Sequence, residues 1–264
     1  MEQIHDVLLN SENETSVTFA ESRASSFPPD ENLTWMRLRQ MKVDESRAAD
    51  ERIVTITRTN PAHFPFDILR TKMLRIMREN KWTSVAITSP TVGCGKTVVG
   101  LNLAFSFASL LDCRTVLVDL DLRQPKVADV LGMGQLSSIE DFLVRDAPIE
   151  CVFARFGENL AIGANRGYIA HAAELLHGPG IRRRMTEMKE QLRPDLILFD
   201  LPPMLATDDV LAFLPNVDCA ILVAAAEVST ISEIDVCEHT LREETNLLGV
   251  VLNKCRFDPR KYGY

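Results

Sequence analysis

The sequence predicts an α/β domain in which a mainly parallel sheet is covered by helices on both faces. Short, continuous apolar runs recur along the chain, and such runs are typical of parallel strands buried on both sides. Segments with helical periodicity alternate with them, which favours right-handed crossover connections between parallel strands. The apolar runs lie at residues 84–89, 115–118, 196–199, 219–224 and 248–252, and the helical segments at 66–80, 98–111, 137–145, 180–192, 208–213 and 232–242.

The overall composition argues against several classes of protein. The 264 residues include 29 basic and 37 acidic side chains, a formal net charge of −8, which argues against a nucleic-acid binder. No run of about 18 apolar residues is available for a membrane span, so we expect membrane contact only through a partner. The six cysteines contain no C-x-x-C pair, which indicates reduced core residues in a cytoplasmic protein.

Two regions are predicted along the chain. Residues 1–50 are rich in Glu, Ser, Asn and Asp without a sustained apolar period, and we predict a disordered or weakly ordered acidic tail. Residues 51–264 then form the folded domain, with a short tyrosine-bearing tail at 257–264. At the start of the domain, the alternation in 52–57 predicts a short edge strand. The helix over 66–80 is predicted to expose Arg70, Arg75 and Arg78.

A glycine-rich loop joins the run at 84–89 to the next helical segment. It reads Pro-Thr-Val-Gly-Cys-Gly-Lys-Thr over residues 90–97. Glycines let backbone N–H groups face an anion, the helix N-terminus adds positive partial charge, and a Lys-Thr pair supplies a phosphate contact and a Mg²⁺ ligand. The general P-loop pattern has glycine where this chain has Pro90, so the loop alone leaves a plain strand-to-helix turn as an alternative.

Two buried runs end in acidic residues. The first continues into Asp-Leu-Asp-Leu-Arg at 119–123, and the second into Asp-Leu-Pro-Pro at 200–203. Carboxylates at the carboxyl ends of parallel strands face the crevice where ligands bind in open α/β sheets. One such Asp is more often a turn or cap residue. Together with the Lys-Thr loop, however, they supply the cradle, metal site and charged group that phosphoryl transfer requires.

The segments 89–97, 118–125 and 199–203 resemble the Walker A, Walker A′ and Walker B motifs of bacterial tyrosine kinases (BY-kinases). These kinases are associated with capsule and exopolysaccharide synthesis, and they are P-loop NTPases of the deviant-Walker, ParA/MinD-like type. The resemblance runs from about Phe66 to Lys254. It accounts for Pro90, because members of that family commonly lack the first P-loop glycine. It implies a protein tyrosine autokinase that uses ATP and Mg²⁺.

The resemblance also implies roles for individual residues. Lys96 would contact the β and γ phosphates, the Thr97 hydroxyl would ligate Mg²⁺, and Asp200 would hold the metal through water. Asp119 would be a metal partner or the base toward a tyrosine hydroxyl, with Asp121 supporting the metal site. The nucleotide would lie on the loop and the first turn of its helix, that is on Gly93, Cys94, Gly95, Lys96, Thr97 and Val98.

Two further residues keep alternative roles. Arg123 would either stabilise developing charge or pair with Asp121. Asn253 matches the family asparagine beside the adenine, and it has both donor and acceptor groups for a base edge. A capping role fits Asn253 nearly as well.

The family resemblance extends to the C-terminus and to partners. Tyrosines at the end of such kinases accept phosphate from a neighbouring subunit, which implies Tyr262 and Tyr264 as phosphoacceptors. A homo-oligomer and a transmembrane polysaccharide co-polymerase that activates the kinase are implied as well, with recruitment to the inner membrane by that partner. The family's oligomerisation motif is reduced here to Arg70-Thr71, which leaves self-association to other contacts.

Two other functions are compatible with the same motifs. One is a nucleotide-switched scaffold of polysaccharide assembly without kinase activity, which fits the short tyrosine tail. The other is a positioning ATPase of the ParA/MinD type. Against the latter, Thr91 stands where that class often has a signature lysine, and no basic amphipathic helix for membrane docking is visible at the C-terminus.

Overall fold

Strands and helices alternate along the computed structural model, which describes residues 33–255. The strands are β1 (Arg39–Met41), β2 (Ser84–Ser89), β3 (Thr115–Asp119), β4 (Phe153–Phe156), β5 (Leu160–Gly163), β6 (Leu196–Pro203), β7 (Cys219–Ala225) and β8 (Asn246–Asn253). The helices are α1 (Leu33–Arg37), α2 (Glu45–Asp50), α3 (Phe64–Asn80), α4 (Lys96–Ala108), α5 (Val127–Leu131), α6 (Ile139–Arg145), α7 (Ile149–Val152), α8 (Ala172–His177), α9 (Pro179–Leu192), α10 (Asp209–Phe213) and α11 (Ile231–Glu244).

The eight strands form one sheet in the order β1-β4-β5-β3-β6-β2-β7-β8. Neighbouring strands are parallel except for β4 and β5, which form an antiparallel hairpin. The predicted α/β class with a mainly parallel sheet is therefore confirmed. The hairpin was not predicted, because two four-residue strands are too short to show a sequence period.

Each face of the sheet has its own hydrophobic core. One core contains residues of α6, α8, α9, α10 and α11, with Phe142, Phe199 and Phe213 fully buried. The other contains residues of α3, α4 and α5, with Met73, Leu101 and Phe107 among them. Because both faces are covered, the central strands are mainly apolar, which explains the continuous apolar runs in the sequence.

The predicted boundary at residue 50 is wrong over residues 33–50. Trp35 on α1 is 2% exposed, and its indole Nε1 donates to the carbonyl of Glu158 at 3.0 Å. The guanidinium of Arg114 lies 4.5 Å from the centre of the same ring. β1 then adds a strand beside β4. Apart from Trp35, this segment buries only scattered side chains such as Leu38 and Ala48 and pairs through three strand residues. It therefore lacks the sustained period by which folded segments are recognised. Residues 1–32 lie outside the described part of the chain.

The strand predicted at 52–57 is also wrong. Asn102 of α4 binds this segment instead, because its Oδ1 accepts the backbone N–H groups of Val54 at 2.8 Å and Thr55 at 3.2 Å. Its Nδ2 donates to the carbonyl of Arg52 at 3.0 Å. These backbone groups are therefore satisfied by a side chain rather than by a neighbouring strand.

The helix predicted from residue 66 to residue 80 is confirmed as α3, but Arg70 is not openly exposed. Its guanidinium donates to the carbonyl of Ser106 at 2.8 Å and to the hydroxyl of Ser109 at 2.9 Å, and it lies 3.2 Å from Asp67. Asp67 in turn accepts the hydroxyl of Ser106. Arg70 thus connects α3 to α4 within the chain.

Among residues 33–255, no helix combines the length and the apolar character needed to cross a membrane.

Candidate active site

The glycine loop joins β2 to α4 at the carboxyl edge of the sheet. Gly93 and Gly95 adopt left-handed φ angles of 84° and 90°, which side chains other than glycine rarely tolerate. A Cβ at Gly95 would also collide with the side-chain amide of Asn253. The first helical turn begins at Lys96, so its backbone N–H groups are available to an anion. The local geometry is that of a phosphate loop.

Residues at the end of β8 and after β7 contact this loop. The Nδ2 of Asn253, at the end of β8, donates to the carbonyl of Cys94 at 2.9 Å. The Cys94 thiol is buried between the hydroxyls of Thr91 and Ser229, at 3.6 and 3.5 Å. The amide nitrogen of Asn253 is therefore engaged by the loop backbone, and its contact with the adenine stays a prediction.

The Lys96 side chain extends from the loop to the aspartates at the ends of β3 and β6. Its Nζ lies 2.7 Å from Asp121 and 3.6 Å from Asp200, and only 9% of the residue is exposed. Burial alone would lower the pKa of Lys96, but the charges of Asp200 and Asp121 outweigh burial and raise this pKa. The two carboxylates thus stabilise the cationic form of Lys96 in its buried position.

Asp200 and Thr97 form the second contact between the loop and the strand ends. The Thr97 hydroxyl donates to Oδ2 of Asp200 at 2.6 Å, while Oδ1 of Asp200 is buried without a hydrogen-bond partner. Burial raises the pKa of Asp200, although Lys96 and Thr97 partly counteract it. Among the described residues, Oδ1 of Asp200 has no hydrogen-bond partner and faces the Lys96 ammonium at 3.6 Å. Such a carboxylate oxygen, next to a threonine hydroxyl, is the chemistry of a Mg²⁺ site in which water or the hydroxyl supplies further oxygen ligands.

Asp119 ends β3 directly opposite Asp200 on β6. It is fully buried, and it accepts the backbone N–H groups of Asp121 at 3.2 Å and Val127 at 3.3 Å. Burial, reinforced by the charge of Asp200, raises the pKa of Asp119 well above its ordinary range. A carboxyl group with a raised pKa holds a proton more readily than an ordinary aspartate does.

The charges at this site do not balance within the protein. Three buried carboxyl groups, those of Asp119, Asp121 and Asp200, surround one ammonium group. A divalent cation would neutralise the excess, and the donor set fits Mg²⁺ for this reason. In residues 33–255 no three His, Cys, Asp or Glu side chains are arranged to hold a metal by themselves. Mg²⁺ does not require such a cage, since it usually keeps several waters and binds substrate phosphates.

Arg123 does not pair with Asp121, so that prediction is wrong. Its Nε and Nη2 bind the two carboxylate oxygens of Asp209 at 2.8 and 2.9 Å. Asp121 is instead occupied by Lys96. The hydrogen bonds to Asp209 raise the pKa of Arg123 above its usual range. Asp209 was missed because a carboxylate at the start of a helix is indistinguishable in sequence from an ordinary helix-start residue.

The structure brings most of the predicted residues together. The loop residues, Lys96, Thr97 and the three aspartates form one cluster, whereas the Val98 side chain packs against the core that contains α3, α4 and α5. The predicted phosphoacceptors Tyr262 and Tyr264 lie outside the described residues.

Comparisons with known proteins identify relatives of this chain. No protein-family model matches it. It is 31% identical over 200 residues to the putative tyrosine-protein kinase EpsB of Ralstonia nicotianae, covering 74% of this chain and 26% of EpsB. It is 29% identical over 189 residues to the tyrosine-protein kinase CpsD of Streptococcus pneumoniae, covering 70% of this chain and 81% of CpsD. The chain therefore spans about a quarter of EpsB and most of CpsD.

Solved structures agree with these relatives. The kinase domain of the Escherichia coli tyrosine kinase ETK superposes with a TM-score of 0.69 at 26% identity, covering 80% of this chain and 84% of that domain. The septum site-determining protein MinD of Pyrococcus horikoshii, in complex with Mg-ADP, superposes with a TM-score of 0.55 at 22% identity, over 68% and 75% of the two chains. The second likeness shows a shared fold.

Proposed function

Because this chain is a homologue of the bacterial tyrosine-protein kinases and has the fold of their kinase domain, we propose that it is an ATP-dependent protein tyrosine kinase of capsule or exopolysaccharide production. The observation that carries the proposal is the cluster at the phosphate loop. There Lys96 lies between Asp121 and Asp200, and Thr97 binds Asp200. This cluster joins a phosphate-binding loop to a metal-binding carboxylate, which are the two parts that phosphoryl transfer needs.

Each residue of the cluster has a role in the proposal. The backbone of residues 93–98 binds phosphate oxygens, and Lys96, still paired with Asp121, exchanges its contact with Asp200 for the β and γ phosphates. Thr97 and Asp200 hold Mg²⁺, and Asp121 orients Lys96. Mg²⁺, when bound, would neutralise charge on the phosphates and on the buried carboxylates. The adenine contact of Asn253 stays a prediction beside its bond to the loop.

The proposed reaction transfers the γ-phosphoryl group to a tyrosine. A bond forms between the tyrosine oxygen and the γ-phosphorus, and the bond from that phosphorus to the bridging oxygen breaks, so that ADP leaves. The phenolic proton passes to a base, for which Asp119 is the candidate because it ends β3 directly opposite Asp200. Tyr262 and Tyr264 are the proposed acceptors.

The proposed setting follows from the relatives and from the substrate. ATP is a cytoplasmic nucleotide, so the kinase would act there. A membrane-bound co-polymerase as activator, and self-association that presents one subunit's tail to another, remain part of the proposal. Arg70 is engaged within its own chain, which supports self-association through contacts other than the usual motif.

The test of the proposal separates transfer from nucleotide binding. The protein purified from its own host should carry phosphate on Tyr262 or Tyr264, and Lys96→Ala should carry none. Lys42→Ala, which removes an exposed lysine, is the matched control and should behave as the unaltered protein. The measurement is mass spectrometry of the C-terminal peptide.

A mixing experiment tests transfer between chains. The Lys96→Ala protein retains its tail, and a Tyr262→Phe/Tyr264→Phe protein retains the loop. Phosphate appearing on the Lys96→Ala chain after mixing with Mg²⁺-ATP would show transfer in trans. Protein that binds Mg²⁺-ATP but never acquires phosphotyrosine, even with a co-polymerase cytoplasmic segment present, would reject the kinase and support the nucleotide-switched scaffold. ATP-dependent binding to DNA or lipid vesicles would support a positioning ATPase.

A further inference from the structure

Arg123 and Asp209 form a two-point ion pair at the carboxyl edge of the sheet. Asp209 is completely buried, and both of its oxygens are used, by Nε at 2.8 Å and by Nη2 at 2.9 Å of Arg123. The Arg123 side chain is 27% exposed. The carboxylate therefore lies inside the protein, while the guanidinium reaches the surface.

The pair connects loops that follow neighbouring strands. Arg123 lies between β3 and α5, and Asp209 begins α10 shortly after β6. β3 and β6 are adjacent and place Asp119 opposite Asp200. The Arg123 segment is also tied to the site through Asp121, which binds Lys96. The guanidinium thus belongs to the crevice in which ligands bind in open α/β sheets.

The geometry leaves part of the guanidinium available. An arginine has five N–H groups in a planar guanidinium. The two hydrogen bonds to Asp209 use one N–H group on Nε and one on Nη2. The Tyr168 side chain is a further hydrogen-bond partner of this guanidinium, so at most two N–H groups remain for a ligand. A buried ion pair often adds little stability over apolar residues of similar size. The effect of the Arg123–Asp209 pair is instead that two hydrogen bonds fix the orientation of the guanidinium plane.

We propose that Asp209 is a positioning residue, which holds the Arg123 guanidinium so that its remaining N–H groups bind the oxygens of the phosphoryl group during transfer. This inference rests on the proposed kinase function. Asp209 itself touches neither nucleotide nor acceptor. It acts through Arg123 alone, and this distinguishes it from the residues that contact the ligand.

A double-mutant cycle tests whether Asp209 acts through Arg123. Asp209→Asn and Arg123→Ala should each lower kcat by about tenfold to a hundredfold, because a displaced charge no longer meets the reacting group. Nucleotide Kd should stay unchanged. The double variant should be no slower than Arg123→Ala, since the positioned group is already absent.

Stability should follow the opposite pattern to catalysis. Arg123→Ala leaves a buried carboxylate without its cation, so its Tm should fall below that of the double variant, in which both charges are gone. A purely structural Asp209 would instead make Tm and kcat fall and recover together. The matched control is Asp208→Asn, because Asp208 is the exposed neighbour of Asp209 and makes no cap hydrogen bond. It should retain kcat and Tm.

A second readout does not depend on turnover. The Nε–H resonance of Arg123, assigned through Arg123→Lys, should shift when Mg²⁺-ADP and aluminium fluoride are added, and this shift should be lost in Asp209→Asn. Multiplicative kcat losses in the double variant, an unchanged kcat in Asp209→Asn, or a resonance that ignores the phosphoryl analogue would each overturn the inference. If the unaltered protein transfers no phosphate, the kinase proposal fails, and the resonance still decides the role of Asp209.

Discussion

At the scale of single residues, the site concentrates charge that the interior would otherwise exclude. Asp119, Asp121 and Asp200 are nearly or fully buried around Lys96. Burial of a carboxylate without full pairing raises its pKa, as it does for Asp119 and Asp200. These buried charges lower the stability of the folded protein when no ligand is bound. Binding of a cation and phosphates would remove this cost, so the charges at the site favour ligand binding.

Asn253 provides a residue-scale prediction. Its Nδ2 supports the loop through the carbonyl of Cys94, so Asn253→Ala should weaken ATP and GTP binding by the same factor. The loss of one hydrogen bond to the loop corresponds to about 1 kcal/mol, or roughly fivefold in Kd. Titration calorimetry with both nucleotides measures this ratio. A selective loss of ATP affinity would show instead that Asn253 reads the adenine.

Residue identity was predictable where a motif supplied it. Lys96, Thr97, Asp119, Asp121 and Asp200 were all proposed for the site and do lie together. The partner of Arg123 was not predictable, because Asp209 is 86 residues away in sequence. Asp121 was the one carboxylate proposed as its partner, and only the fold shows that Asp209 takes this place.

At the scale of elements, the start of β2 is fastened to the start of β7 by Asp218. Its Oδ2 accepts the backbone N–H groups of Thr83 at 2.8 Å and Ser84 at 2.9 Å, and the hydroxyl of Ser84 at 2.8 Å. Partial burial would raise the pKa of Asp218, but these hydrogen bonds outweigh burial and lower it. The strand that leads into the phosphate loop is thereby anchored at its far end.

Removing this anchor gives a pH-dependent prediction. Asp218→Ala should lower the free energy of unfolding by about 1–3 kcal/mol near neutral pH, because donors are left unpaired. The folded-state pKa lies below the ordinary value of 3.8. The stabilisation is therefore complete above that value and is lost as pH falls through the folded-state pKa. Urea titrations at several pH values measure it, with Asp235→Ala on the exposed face of α11 as control. A pH-independent difference would contradict the argument.

The segment α1-β1 gives a second prediction at this scale. Trp35→Ala removes a fully enclosed aromatic side chain and should lower the free energy of unfolding by about 3–5 kcal/mol. Leu33→Ala, on the same helix but 50% exposed, should change it by less than about 0.5 kcal/mol. Chemical denaturation of the full chain compares the two. Equal effects would mean that Trp35 is not an anchor for this segment.

At the scale of the whole molecule, ligand binding and folding are linked. If Mg²⁺-ATP binds only the folded chain, a concentration 100 times Kd adds about 2.7 kcal/mol to the free energy of unfolding. For a chain of this size that corresponds to a rise in Tm of about 5–10 °C. Thermal unfolding with Mg²⁺-ATP, with ATP and EDTA, and with Lys96→Ala measures the effect. The same rise in Lys96→Ala would mean that the nucleotide binds elsewhere.

The sequence by itself determined the α/β class, the central strands, the phosphate loop and the acidic strand ends, because these depend on local composition and short-range order. Apolar runs must be buried, and a Gly-x-Gly-Lys-Thr turn between a strand and a helix has few geometries. Tertiary structure decided what depends on distant partners. In the folded chain, Trp35 anchors residues 33–50 and Asn102 binds the backbone of the segment at 52–55. Arg123 forms its ion pair with Asp209. Those outcomes rest on contacts between positions far apart in the chain, which no local pattern encodes.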